Sequence, residues 1–136
     1  MYITLRAGER IFINGAVLKM DRKTTIELLN DATFLLEAHV MQAHDATTPL
    51  RQIYFVVQVM VMDPAGAAAT TQLARGLIDK ASQAFRTQEI KSGLPIVAEL
   101  IARSRYFEAM KTLRSLYAFE DREMFPNGRL SAPHAA

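Results

Sequence analysis

Near residue 45 the apolar residues of this chain stop recurring at every second position and begin to recur at every third or fourth. That change of period constrains the fold more than any other feature of the sequence. Alternation turns one face of a strand toward a core, whereas a helical period turns one stripe of a helix there, so no single segment satisfies both. The polar run Ala43-His44-Asp45-Ala46-Thr47-Thr48 marks the boundary. The expected fold class is α+β, with a small five-stranded antiparallel β unit over residues 1–42 followed by a helical bundle of three to four helices over residues 48–123.

In the first segment Ile3 and Leu5 share one face, Ala7-Gly8-Glu9 turns the chain, and Ile11 and Ile13 alternate with Arg10, Phe12 and Asn14. Asn14-Gly15 is the strongest hairpin signal, because both residues tolerate the positive φ that a type I′ turn demands. A third strand runs through Val17 and Lys19 to a turn at Met20-Asp21-Arg22-Lys23. Thr24 to Leu28 forms a β-branched fourth strand closed by Asn30-Asp31, and Thr33 to His39 reads as the fifth, with Leu35-Leu36-Glu37-Ala38 as a helical alternative. A unit of about forty residues buries little surface, so it is expected to pack on the helices or pair with another copy, as a homodimer or higher homo-oligomer.

In the second segment Thr48 reads as an N-cap with Pro49 at the first helical position, and the helix runs to about Met62. The β-branched Ile53, Val56, Val57, Val59 and Val61 pull the other way. Asp63-Pro64 repeats the cap-and-proline arrangement and opens a second helix, with Leu73, Leu77, Ala81 and Phe85 as its inward stripe and Ile78 beside them. Ser92-Gly93-Leu94-Pro95 is expected to break that helix ahead of a short one carrying Ile96, Val97, Leu100 and Ile101. Tyr106, Met110, Leu113 and Tyr117 then stripe a last helix from about Ser104. Residues 124–136 read as a mobile tail, since the stretch from Pro126 has too little apolar surface to offset the entropy of ordering.

The chain has no cysteine, which excludes disulfides and thiolate chemistry and suits a reducing, cytoplasmic compartment. Arg6, Glu9 and Arg10 interrupt the opening before a signal-peptide core can form. The most apolar run, Ile53 to Met62, is far short of the ~20 residues that span a bilayer, so no membrane segment is expected. His39, His44 and His134 lack the spacing of a zinc site, and no glycine-rich phosphate loop or nucleophile elbow occurs. No metal, cofactor or catalytic constellation is expected, and the chain does not read as an enzyme. Glu120, Asp121 and Glu123 around Arg122 read as a solvated acidic patch. Met41, Met60, Met62 and Met110 read as core filling, with an adaptable protein-binding groove around Ile53 to Met62 as the alternative.

Net charge is only +2, but it is unevenly distributed. Residues 1–23 set Arg6, Arg10, Lys19, Arg22 and Lys23 against Glu9 and Asp21, a balance of +3. Residues 24–50 carry Glu27, Asp31, Glu37 and Asp45 with no lysine or arginine, a balance of −4. Folded together, these give a basic face and an acidic face, or a mixed solvated surface. Tyr106, Phe107 and Tyr117 interleave with Arg103, Arg105, Lys111 and Arg114, which suits base stacking but fits better a buried stripe with a basic solvent face.

Three stretches carry a resemblance: Gly8-Glu9-Arg10-Ile11-Phe12-Ile13-Asn14-Gly15-Ala16-Val17, Leu29-Asn30-Asp31-Ala32-Thr33-Phe34-Leu35, and Asp45-Ala46-Thr47-Thr48-Pro49-Leu50-Arg51-Gln52-Ile53-Tyr54-Phe55. With Met62-Asp63-Pro64-Ala65 they resemble the FlbT family of flagellum biosynthesis repressors over residues 1 to about 120. The resemblance implies a post-transcriptional repressor that associates with the 5′ untranslated region of flagellin messenger RNA and promotes its degradation. It brings no catalytic residues. Its implied partners are the flagellin mRNA leader and flagellin or another flagellar regulatory protein.

Over the first forty or so residues, Leu5-Arg6-Ala7-Gly8-Glu9 followed by Ile11-Phe12-Ile13 is also similar to the opening of the carbon-storage regulator CsrA, a family of dimeric RNA-binding repressors with five strands per chain. The RNA contact of that family's first strand carries over only to Arg6. Its fifth-strand arginine does not, because the region reads Leu36-Glu37-Ala38-His39. If this chain holds RNA, the candidates are therefore Arg6, Arg10, Lys19, Arg22 and Lys23, which would hold phosphates by charge-assisted bonds.

Overall fold

In the computed structural model, which describes residues 1–14, 16–30, 32 and 34–128, the chain divides after Val40 into two units. The first holds β1 (Tyr2–Leu5), β2 (Arg10–Ile13), β3 (Ala16–Lys19), β4 (Thr24–Glu27) and β5 (Phe34–Leu36). The antiparallel α+β expectation holds, and the strands divide into two sheets, β1-β4 and β3-β2-β5.

Strand β1 skips its sequence neighbour and pairs with β4, setting Tyr2 opposite Glu27 and Leu5 opposite Thr24. Strands β2 and β3 form the expected hairpin, with Ile13 opposite Ala16 across a two-residue turn. Asn14 has φ 48°, as that turn requires. Gly15 lies outside the described residues, as do Asp31 and Thr33, the expected end of β4 and start of β5, and residues 129–136 of the expected tail. Strand β5 is shorter than expected, because Glu37–His39 leaves the ladder in a 3-10 turn. Ile3, Leu5 and Ile11 form the core of this unit, with Ile13, Met20, Ile26, Leu28, Phe34 and Leu36 packed against them.

The second unit holds α1 (Pro49–Met62), α2 (Ala67–Ala84), α3 (Gln88–Ala102) and α4 (Tyr106–Met124). Thr48 caps α1 as expected, its side chain accepting from the Arg51 N–H at 3.3 Å. The β-branched residues do not prevent this helix, because Ile53 and Val57 are fully buried and packing overrides a small propensity difference. Helix α1 lies against α2 and α4, and α3 packs on α4 and α2. Met41, Met60 and Met110 fill the interior. Gln58, buried in α1, is satisfied by the backbone of Met41, which donates to Oε1 at 2.8 Å and accepts from Nε2 at 2.9 Å.

Three sequence expectations fail in whole or in part in this unit. Asp63 ends α1, its N–H donating to the Val59 carbonyl at 2.8 Å, but its side chain makes no capping bond among the described residues, and Pro64–Gly66 forms a 3-10 turn that precedes α2. The inward stripe of α2 keeps Ile78, Ala81 and Phe85 as expected, with Leu77 half-buried, but Ala74 takes the place of Leu73, which is 56% exposed. Alanines serve there because a small side chain lets a helix approach its neighbour closely, which a count of large apolar residues overlooks. Finally, Ser92 to Pro95 breaks nothing. The chain turns instead at Phe85–Thr87, and α3 runs straight through Pro95. Proline there removes one helical N–H, while Gly93 lets α4 come so close that a Cβ would sit 2.7 Å from Leu116 Cδ1. Among the described residues no single helix is long and apolar enough to cross a membrane.

Candidate nucleic-acid interface

The basic residues of the first unit come from three places in the sequence, and the sheet register decides which of them meet. Gly8, at φ 79°, turns the chain after β1, and the turn is closed by Glu9 N–H donating to the Arg6 carbonyl at 3.1 Å. The Glu9 carboxylate accepts from the Arg6 N–H at 2.9 Å and holds the same loop from the other side. Gly8 N–H then donates to the Met20 carbonyl at 2.7 Å and Met20 N–H to the Glu9 carbonyl at 3.0 Å. These two bonds lace the first turn to the end of β3. Because Leu5 faces Thr24, Arg6 leaves β1 beside the point where Lys23 enters β4. Arg6, Lys19, Arg22 and Lys23 therefore gather at one end of the unit.

Within that group the side chains differ in what holds them. Arg10 stands opposite Lys19 on β2 and is committed to Glu37, with Nε and one terminal nitrogen on Oε1 at 3.0 and 2.8 Å and its backbone N–H on Oε2 at 2.8 Å. The Arg10 side chain and then its backbone N–H hold the Glu37 carboxyl below its ordinary value, with the charge of Lys19 adding a smaller pull. Arg22 reaches Asp21 at 3.3 Å on an open surface, a pairing that water screens heavily. Its backbone carbonyl is fixed by the Thr24 hydroxyl at 2.8 Å. Arg6 and Lys23 are exposed and make no ion pair among the described residues. Sequence reasoning missed Glu37 as the partner of Arg10, since only the register of β5 on β2 brings them together.

Several of the basic residues in and before α4 already have partners. Arg114 donates to the Tyr54 hydroxyl at 3.0 Å, Arg103 pairs with Glu99, and Arg105 pairs with Glu108. The Arg51 guanidinium lies 4.2 Å from the centre of the half-buried Tyr117 ring, and burial pushes that hydroxyl above its ordinary value.

The acidic cluster of α4 is not a solvated patch. Glu120 is fully buried and accepts from the Thr48 hydroxyl at 2.6 Å, the Leu50 N–H at 2.7 Å and Arg51 at 2.9 Å. Asp121 takes Arg51 as well, at 3.0 and 3.2 Å. Burial pushes the Glu120 carboxyl above its ordinary value while those donors pull against it. Glu123 accepts the N–H groups of Arg86 and Thr87 and the Thr87 hydroxyl, closing the N-terminus of α3. These carboxylates bind helix ends together. Among the described residues no group of three or more histidine, aspartate or glutamate side chains is placed to hold a metal ion.

The fold is thus a small antiparallel β unit with basic residues at one end, followed by helices whose buried charged residues brace one another. The chain belongs to the FlbT family, whose model, described as flagellar protein FlbT, matches residues 1–124. It is 48% identical over 127 residues to the probable flagellum biosynthesis repressor protein FlbT of Chelativorans sp. (strain BNC1), covering 93% of this chain and 87% of that protein. The proteins of the same name from Rhizobium johnstonii and Brucella ovis are 51% and 52% identical, covering 88% and 87% of this chain and 80% and 78% of their own lengths. No solved structure matches the chain.

Proposed function

We propose that this protein is a cytoplasmic, post-transcriptional repressor of flagellum biogenesis that associates with the 5′ untranslated region of flagellin mRNA and promotes its degradation. Its relatives' name, probable flagellum biosynthesis repressor protein, supports the regulatory role. The observation that carries the RNA reading is the convergence of Arg6, Lys19, Arg22 and Lys23 at one end of the β unit. Arg6 and Lys23 take phosphate most readily, since both are exposed and no ion pair among the described residues competes for them. Arg10 is held by Glu37 in a half-exposed pair, so a phosphate at Arg10 would have to compete with that carboxylate. A handful of such contacts gives salt-dependent binding of low sequence preference, and selectivity comes from a loop in the RNA. Degradation falls to cellular ribonucleases once the leader's structure has changed.

The rival reading is an adaptor that grips flagellin or another flagellar regulatory protein through the apolar face around Ile53 to Met62. Within that stretch Ile53, Val56, Val57, Met60 and Val61 are buried, which leaves Val59 and the half-buried Phe55 and Met62 as the apolar surface such a partner would use.

Fluorescence-anisotropy titration of a flagellin leader RNA and a scrambled control, across several salt concentrations, tests the proposal. Tight, leader-selective binding is expected, and Arg6→Ala/Lys23→Ala should flatten the slope of log affinity against log salt by about 1.4, the value for two lost single-strand phosphate contacts. Equal affinity for both RNAs, or none for either, would overturn it.

A further inference from the structure

Strand β3 stands apart from the other four. All four of its residues are exposed, including Val17 at 53% and Leu18 at 44%, although β1, β2, β4 and β5 each hide part of their length. It lies at the edge of the β3-β2-β5 sheet, with β2 as its neighbour on one side and no strand on the other among the described residues. Natural edges are blunted by short length, proline, bulges or charge, lysine above all, because an open edge is a template for another strand. Here the register with β2 is continuous from Ile13–Ala16 to Arg10–Lys19, no proline is present, and Lys19 is the single charge.

The backbone groups on that open edge can be assigned. Met20 turns both its N–H and its carbonyl toward the Gly8–Glu9 side. Successive residues of a strand direct these groups to opposite sides, so Leu18 and Ala16 also bond β2, while Val17 and Lys19 point theirs outward. We propose that β3 is the seam at which two copies of this chain join, antiparallel about a two-fold axis at Leu18. In that register Val17 and Lys19 exchange N–H···O=C bonds with Lys19 and Val17 of the second copy. Leu18 packs on its own counterpart, and Lys19 lies against Val17, so no like charges stand directly opposite. A strand that meets itself without repulsion is matched to a second copy, and the two three-stranded sheets become one continuous sheet. A four-residue edge buries less than the ~1,200 Å² of a standard interface, so the dimer is expected to dissociate on dilution.

Sedimentation velocity of the full chain over a range of concentrations, compared with Val17→Pro, tests the seam. The Val17 N–H faces away from β2, so proline there removes an intermolecular donor from each copy and leaves the hairpin ladder intact. The parent should shift from monomer to dimer with concentration, and Val17→Pro should weaken dimerisation by about thirtyfold, the effect of two lost backbone hydrogen bonds, with an unchanged far-ultraviolet spectrum. Should that variant fold poorly, Leu18→Lys provides the same comparison through repulsion at the axis. Amide exchange gives a separate reading, with Val17 and Lys19 protected only as concentration rises and Leu18 protected throughout. A parent that stays monomeric at every concentration, or a dimer that both variants leave unchanged, would overturn the proposal. Neither outcome depends on whether RNA binds.

Discussion

Replacing Glu120 by alanine tests what holds the helical unit together. The substitution removes the acceptor shared by the Thr48 hydroxyl, the Leu50 N–H and one Arg51 nitrogen, all buried. Arg51 keeps Asp121, but Leu50 sits at the second position of α1, where the helix offers its N–H no partner of its own. A stranded buried donor costs about 1–3 kcal/mol, and breaking a buried ion pair about 3–5 kcal/mol. These overlap rather than add, so the expected loss is about 3–5 kcal/mol, a large share of the ~5–15 kcal/mol that stabilises a typical protein. For a unit of this size, that lowers the melting temperature by about 15–30 °C. Glu120→Gln retains an acceptor without the charge and should fall in between. Thermal and urea unfolding followed by helical circular dichroism measure both. If Glu120→Ala melts within about 4 °C of the parent, equivalent to at most ~1 kcal/mol, the buried-acceptor reasoning is refuted.

Two further outcomes are expected. Gly93→Val places a branched side chain where even a Cβ lies 2.7 Å from Leu116, and should destabilise by about 1–3 kcal/mol in urea unfolding, with partial recovery when Leu116→Ala makes room. Glu123 has its carboxyl held below the ordinary 4.5, first by the Thr87 hydroxyl, so its contribution is present above pH 4.5 and lost as pH falls through the lowered value. Glu123→Gln should therefore lower stability at neutral pH and flatten the acid limb of a stability-against-pH curve, and parallel curves for the two proteins would contradict that assignment.

Features that depend on a few adjacent residues were legible from the sequence. Asn14 and Thr48-Pro49 act through their own dihedral angles and nearest hydrogen bonds, and both perform as their chemistry requires. Ser92-Gly93-Leu94-Pro95 shows the limit of the same logic. Glycine and proline weaken a helix locally, yet the close approach of Gly93 to Leu116 on α4 repays that weakness from outside the segment. The candidate interface was half legible. Its basic residues could be named from the charge imbalance, but the choice between Arg6 and Lys23 on the one hand and Arg10 on the other required knowing that Glu37 lies beside β2.

The sequence by itself determined the change from strands to helices, the hairpin, the first helix cap and the two blocks of opposite charge, because periodicity, turn chemistry and charge belong to neighbouring residues. Only the tertiary structure decided that β1 would pair with β4, that β3 would be left open, and that the Glu-Asp-Arg-Glu run ending α4 would be partly buried. The physical reason is distance along the chain. Glu120 meets Thr48 across 72 positions, and the free energy of that meeting resides in packing and desolvation between segments that no local pattern connects.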